Sequence, residues 1–401
     1  MAVIPSDDCP VKPPLPHVTV TPKIMGPFES VLQWSGLDLS RSCVARSGSW
    51  LRSICRVSIC FLICFTLFLK SLILMLDSSK PMTLEWAIGC VWAFMELYGL
   101  GSAIFIAIWT RSRFLYTLQE KLSKIQDQRA PLNGSNHFTT IYRRLVIGGV
   151  LYIAIWAVSS TKGILYEGSP SNSSEPFRVS YPFTLNSMYG LEPFVYLLAG
   201  FTSMVAMTMY SLVYAHVNRE LSSFNEDLKA SAKLQQLTLP CVLQAYSTRQ
   251  AELIRLVKFV SQKTEAYVSM TTVFTGLAMA NALYITAGFG HGASTMLKVL
   301  GFLWMNASIL VVVATHRQSA KTQDEIINTV QILLADDFCQ NQQDDQVWKT
   351  CRAMIDRAQH STTKMYFMHA FAMDQHFGHK LLLILPNIGS LMVLAKKTGL
   401  V

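Results

Sequence analysis

Long apolar runs separated by shorter polar ones set the plan of this chain. Seven runs read as membrane-spanning helices, at roughly residues 55–76, 82–110, 142–166, 188–216, 265–288, 295–315 and 379–395. A crossing helix needs about 20 apolar residues, which the last run barely reaches with its flanks. Past the fourth run the pattern becomes amphipathic. Leu253, Ile254, Leu256, Val257 and Val260 fall at helical spacing and lead into the fifth span, which predicts one helix extending well beyond the membrane. Ile326, Ile327, Val330, Leu333 and Leu334 repeat the theme over 321–336. Such helices either pack on each other or join subunits, and amphipathicity alone does not choose. The acidic stretch 336–345 reads as a loop, residues 1–30 as a loose Pro-rich arm, and 31–52 as a helix before the first span. The organisation that follows is a cytoplasmic region over 1–54, a six-span bundle over 55–316, a cytoplasmic anchor-like region over 317–378, and a last span with a short outer tail over 379–401.

Composition fixes the class. Of 401 residues, 51% are hydrophobic and 15% charged, so the chain is an all-α polytopic membrane protein. The net charge of +9 then marks inner loops rather than affinity for nucleic acid. Arg41, Arg46, Arg52 and Arg56 precede span one; Arg111, Arg113, Lys121, Lys124, Arg129, Arg143 and Arg144 lie between spans two and three; seven more Lys and Arg lie between spans four and five. The other loops carry little, which puts the N-terminus inside and, after seven crossings, the C-terminus outside. No apolar leader precedes span one, which must itself direct insertion. Asn172 in Asn-Ser-Ser falls in a predicted outer loop and is the candidate glycosylation site; Asn133 and Asn306 fall in an inner loop and a span. The nine cysteines lie in spans or on the inner side, and read as packing thiols rather than an extracellular disulfide framework.

No catalytic motif is present, and the chain reads as a protein that is not an enzyme and holds no cofactor or metal. His376 and His379 share a helical face near His360 and His369, but ordinary interfacial histidines account for them. Lys70, Glu96, Lys162 and Glu192 are ionisable residues inside spans. Lys70, Lys162 and Glu192 are near outer ends and within reach of interfacial water, whereas Glu96 lies deeper, beside a buried cation or a wet cavity. Aromatic and polar residues gather in the outer halves of spans two to six. They form either an interfacial belt or an outward-facing pocket for a small molecule. The candidate ligand-binding set is Trp86, Glu96, Trp156, Glu192, Tyr196, Asn281, Tyr284 and Trp304.

The final stretch begins with an amphipathic aromatic lead-in from Tyr366 to Phe377 and ends at Lys396 and Lys397. Leu383, Asn387, Ser390, Leu391 and Leu394 run down one side at helical spacing, with Pro386 inside. A short, polar-striped helix with a proline suits lining something, or burial against partners, better than lipid on all sides.

Seven spans, an inner N-terminus, long inner loops and a short final span resemble the arthropod gustatory receptor family, part of the insect chemoreceptor superfamily and kin to insect odorant receptors. Phe371-Ala-Met-Asp374 is similar to the family's Phe-x-x-Asp lead-in. Ser390-Leu391 and Lys397-Thr398 align with its Thr-Tyr and Gln-Phe, five residues apart. The resemblance implies a ligand-gated cation channel of the plasma membrane, a homo- or hetero-tetramer with one last-span helix per subunit around the pore. It would place Leu383, Asn387, Ser390, Leu391 and Leu394 in the pore wall, with an apolar ring at Leu391 or Leu394 as a gate. It also requires Lys396 and Lys397 to turn away from the axis. Rival readings are a G-protein-coupled receptor, which needs the opposite orientation, a transporter, which needs repeats or broken spans in matching positions, and a non-conducting membrane protein of the same fold.

Overall fold

A computed structural model describes residues 24–39, 50–76, 82–127, 136–167, 192–289, 295–335, 345–360, 366–367, 371–372 and 375–399. Ten α-helices are described: α1 (Phe28–Trp34), α2 (Trp50–Leu76), α3 (Leu84–Arg111), α4 (Phe114–Gln126), α5 (Asn136–Glu167), α6 (Glu192–Lys233), α7 (Pro240–Gly288), α8 (Thr295–Leu334), α9 (Asp345–His360) and α10 (Gln375–Lys397). Six of these, α2, α3, α5, α6, α7 and α8, are long and apolar enough to cross a membrane. The 23-residue α10 is the seventh, short one. The chain is an all-helical, multi-pass membrane protein.

The amphipathic patterns beyond the spans continue the spans themselves. α7 is one helix of 49 residues, about 74 Å long at 1.5 Å per residue, against a hydrocarbon core of about 30 Å. α6 and α8 run on in the same way for 42 and 40 residues. Pro240 opens α7 at a position where its missing N–H costs no helical bond. Arg113, at φ +52°, turns the chain from α3 into α4. Below, "upper" denotes the end carrying the α2–α3 and α7–α8 connections, and "lower" the opposite end.

The buried residues form two main clusters. The lower one joins α1, α2, α3, α4, α6, α7, α8 and α9. The upper one joins α2, α3, α5, α6, α7 and α8 around Trp156 and Trp304. In the lower layer Leu253, Leu256, Val257, Val260, Ile326, Val330 and Leu333 are buried against α9, which contributes Val347, Cys351, Met354 and Ile355. The inner helices thus pack on each other. Ile327 and Leu334, expected on the same side as Ile326, are instead 55% and 47% exposed.

A polar ladder ties α6 to α8. The Thr322 hydroxyl donates to Asn218 Oδ1 at 2.7 Å, and the Thr329 hydroxyl donates to Asn225 Oδ1 at 2.6 Å. Asn225 Nδ2 donates to the Glu325 carbonyl at 2.8 Å and to its carboxylate at 2.9 Å. Higher up, the Tyr210 hydroxyl donates to the Thr315 carbonyl at 2.9 Å. The seven-residue steps on both helices match, which sets their register as buried polar residues do in coiled coils. Asn225→Ala strands the carboxamide's partners in a buried layer. We expect a loss of about 1–3 kcal/mol, read as a lower unfolding midpoint of the purified protein.

Four local expectations change. Residues 24–39 are an ordered part of the lower core, with Ile24, Met25, Phe28, Leu32 and Leu37 buried. The helix expected over 31–52 is divided between α1 and the start of α2, and residues 40–49 lie outside the described set. Gly36 sits at φ +73°, and a Cβ there would lie 2.7 Å from Ile59, so only glycine lets the arm close on α2. The lead-in to α10 pairs as a two-rung antiparallel ladder, Tyr366 with Ala372 and Phe367 with Phe371, before the helix starts at Gln375. Cys55, Cys60, Cys64, Cys90 and Cys351 are free thiols, but Cys241 is disulfide-bonded, a departure from nine packing thiols.

Candidate ligand pocket and channel-lining helix

Three helices line a cleft in the upper layer. α3 presents Val91, Trp92 and Met95, α5 presents Ile155, Trp156 and Ser159, and α8 presents Trp304. On α3 and α5 the spacing of three or four residues puts these side chains on one face. The Trp304 indole N–H donates to the Ser159 hydroxyl at 2.9 Å, which donates onward to the Ile155 carbonyl at 2.7 Å. Trp92 meets the Tyr196 ring at 4.1 Å and the edge of Trp304 at 5.3 Å between centroids. Gly200 of α6 admits the Trp156 ring; a Cβ there would lie 2.7 Å from Trp156 Cγ. The walls are apolar and aromatic with one hydroxyl, the make-up of a small-molecule site. The open space is small, ≈ 10 Å³, room for about one water. A molecule of any size enters only if the rings move.

The eight residues read from the sequence divide around this cleft. Trp156 and Trp304 line it, and Tyr196, 4% exposed, meets Trp92 at a tilt behind it. Glu96 is fully buried one turn below Trp92 on α3. Trp86 packs partly exposed on the upper cluster. Tyr284 closes the top of α7 instead, donating to the Met82 carbonyl at 2.8 Å. Asn281 is buried, and its Nδ2 donates to Leu277 O of its own helix at 2.9 Å. Glu192 opens α6, and its side chain and that of Lys162 lie outside the described residues. Sequence reasoning left Val91, Trp92, Met95, Ile155 and Ser159 out of the set. The signal for Ser159 was its three-residue step from Trp156. Lys70 does not reach the interface: it is 1% exposed, with Nζ 5.2 Å over the Tyr196 ring.

α10 lies against α7 by one face only. Leu385 and Gly389 are buried, and Met392 and Val393 pack on the upper cluster. A Cβ on Gly389 would lie 2.6 Å from the Ala280 carbonyl, so the two backbones touch there. The other face carries Leu383, Asn387, Ser390, Leu391 and Leu394, all exposed. Leu383, Leu391 and Leu394 are 68%, 64% and 56% exposed, so no other described part of the chain covers this stripe. Lys396 turns off it, with Nζ over the Phe289 ring at 2.9 Å and the Tyr284 ring at 5.8 Å; Lys397 is exposed. The side chains of His376 and His379, together with His369, Asn172 and Asp374, lie outside the described residues.

The order and packing of the helices are shared with solved structures. The chain superposes on the insect olfactory receptor OR5 from Machilis hrabei in complex with eugenol with a TM-score of 0.67, over 92% of this chain and 98% of that one, at 13% identity. A second structure of OR5 from Machilis hrabei gives 0.63 over 91% and 98%, at 14% identity. At such identity the likeness is one of fold: this chain has the insect olfactory receptor fold. No curated protein matches its sequence. A family model matches residues 24–389, and the chain belongs to that family, described as Caenorhabditis protein of unknown function, DUF267.

Proposed function

We propose that this chain is a subunit of a chemosensory receptor of the gustatory kind, a cation channel of the plasma membrane opened by a small molecule from outside. The observation that carries the reading is the stripe on α10. It sets Asn387 and Ser390 among exposed leucines, on a helix whose other face is packed. Polar groups left to lipid are costly, whereas the same groups around a shared axis line a wet path. Four copies would set four stripes around that axis, with Leu391 or Leu394 as the ring that excludes water. The fold shared with a receptor that holds eugenol supports a small-molecule ligand here, in the aromatic cleft of α3, α5 and α8. The ligand opens the channel to the extent that it binds the open state better. In this reading the N-terminus is cytoplasmic, the C-terminus and Asn172 are outside, and Asn172 carries glycan.

The test is electrical. Expressed in oocytes and offered a tastant panel, the protein gives ligand-evoked cation currents, and Asn387→Leu lowers their unitary conductance severalfold. Unchanged conductance would remove Asn387 from the pore. A C-terminal tag reached by antibody only after permeabilisation would overturn the orientation.

A further inference from the structure

We propose that a layer of hydroxyl groups one turn below the cleft takes the hydroxyl head of the ligand, which makes the ligand a small alcohol with an apolar body. The inference rests on the small-molecule cleft proposed above and names the class of molecule it holds. The polar groups of the cleft wall are already engaged. The Ser159 hydroxyl accepts from the Trp304 N–H and donates to the Ile155 carbonyl. The groups left over lie lower. Tyr98 and Ser102 continue α3 below Met95, and Tyr152 stands one turn below Trp156 on α5, so both lining faces run on downward. α7 brings Tyr267 and Thr271 to the same level. The Tyr98 hydroxyl meets the Tyr267 hydroxyl at 3.3 Å, with Ser102 and Thr271 beside it.

Ser102 and Thr271 are fully buried, and neither hydroxyl has a hydrogen-bond partner among the described residues. The same holds of the Tyr152 hydroxyl and of the Trp156 N–H. The Tyr152 hydroxyl lies near Trp156 and Ser203 without a hydrogen bond to either. Polar groups left so inside a membrane bundle are costly, and a partner that satisfies them gains by it. A hydrocarbon guest leaves them as they are. A charged head would bring its own desolvation cost into the layer. A hydroxyl is small and carries one donor and two lone pairs, so it can accept from the indole N–H and donate to a neighbouring hydroxyl at once. A water held in the layer is replaced by such a head bond for bond. Trp156 borders both the cleft and the layer, so the ring movement that admits the ligand's body also admits its head.

Two probes of one length test this: 2-phenylethanol and propylbenzene, which differ by a hydroxyl in place of a methyl group. Binding to the full chain in phosphatidylcholine nanodiscs is measured by equilibrium dialysis. Each affinity is referred to the probe's concentration in the bilayer, taken from protein-free nanodiscs. The wild-type protein is expected to bind the alcohol about tenfold more tightly than the hydrocarbon on that scale, the worth of one or two hydrogen bonds. Tyr152→Phe keeps the ring and removes only its hydroxyl, and the ratio should fall to about twofold through weaker binding of the alcohol alone. Ser102→Ala combined with Thr271→Val removes the deeper hydroxyls and should lower the ratio in the same way; it decides the matter if Tyr152→Phe fails to fold. Equal binding of the two probes to the wild type overturns the inference and leaves the cleft standing, as does a tenfold ratio retained by every variant that folds. Uptake of neither probe beyond that of protein-free nanodiscs overturns the cleft and the inference together.

Discussion

Gly389→Ala is expected to destabilise the protein by about 1–3 kcal/mol, a large effect for a single added methyl group. The reason is the identity of the obstacle. The new Cβ would stand 2.6 Å from the Ala280 carbonyl oxygen and 3.1 Å from Leu283 Cβ. A backbone carbonyl inside α7 cannot rotate aside, so α10 as a whole must move off. Gly276→Ala is the control. Its Cβ would meet Leu385 Cδ2 at 2.7 Å, but that is the end of a flexible side chain, which can change rotamer. The unfolding midpoint should fall clearly for Gly389→Ala and much less for Gly276→Ala. Equal falls would show that α10 is not held at Gly389.

Trp304→Ala is expected to cost about 3–5 kcal/mol and to abolish ligand-evoked current. Trp304 is 4% exposed, closes the cleft from α8, and donates to Ser159 at 2.9 Å. Its loss leaves a void between α3 and α5 where the ring stood. Trp304→Phe keeps the ring but not the donor, so it should recover most of the stability. It should also separate packing from recognition. Currents that survive Trp304→Ala at wild-type ligand sensitivity would move the ligand elsewhere.

The seven spans and the inner continuations of α7 and α8 were legible because each is written as a long run with helical periodicity. The rest depended on how helices rotate against each other. An aromatic residue in the outer half of a span reads the same whether it faces lipid headgroups or a neighbour. Trp92 was thus one of several aromatics, and only the approach of Tyr196 and Trp304 sets it at the centre. Lys70 near a span end predicts a side chain reaching water, yet α2 turns it inward onto Tyr196. Asn281 gives its Nδ2 to its own helix and keeps a buried Oδ1 with no hydrogen-bond partner among the described residues, an orientation that periodicity alone does not carry. The N-terminal arm misled because its prolines mask the apolar set Ile24, Met25, Phe28 and Leu32, which finds its partners far away in sequence.

The long helices also have a mechanical meaning. α6, α7 and α8 carry no proline beyond the first turn, so each behaves as a stiff lever rather than a jointed one. The side-chain ladder holds two of these levers in step, so they tilt together sooner than they slide. Among the described helices an interior proline occurs in α10 alone. Pro386 has no N–H to offer the carbonyl four residues back, at Leu382. Compliance is thereby gathered into the shortest span, beside Asn387 and Ser390, and the soft point lies under the face that the other described residues leave bare.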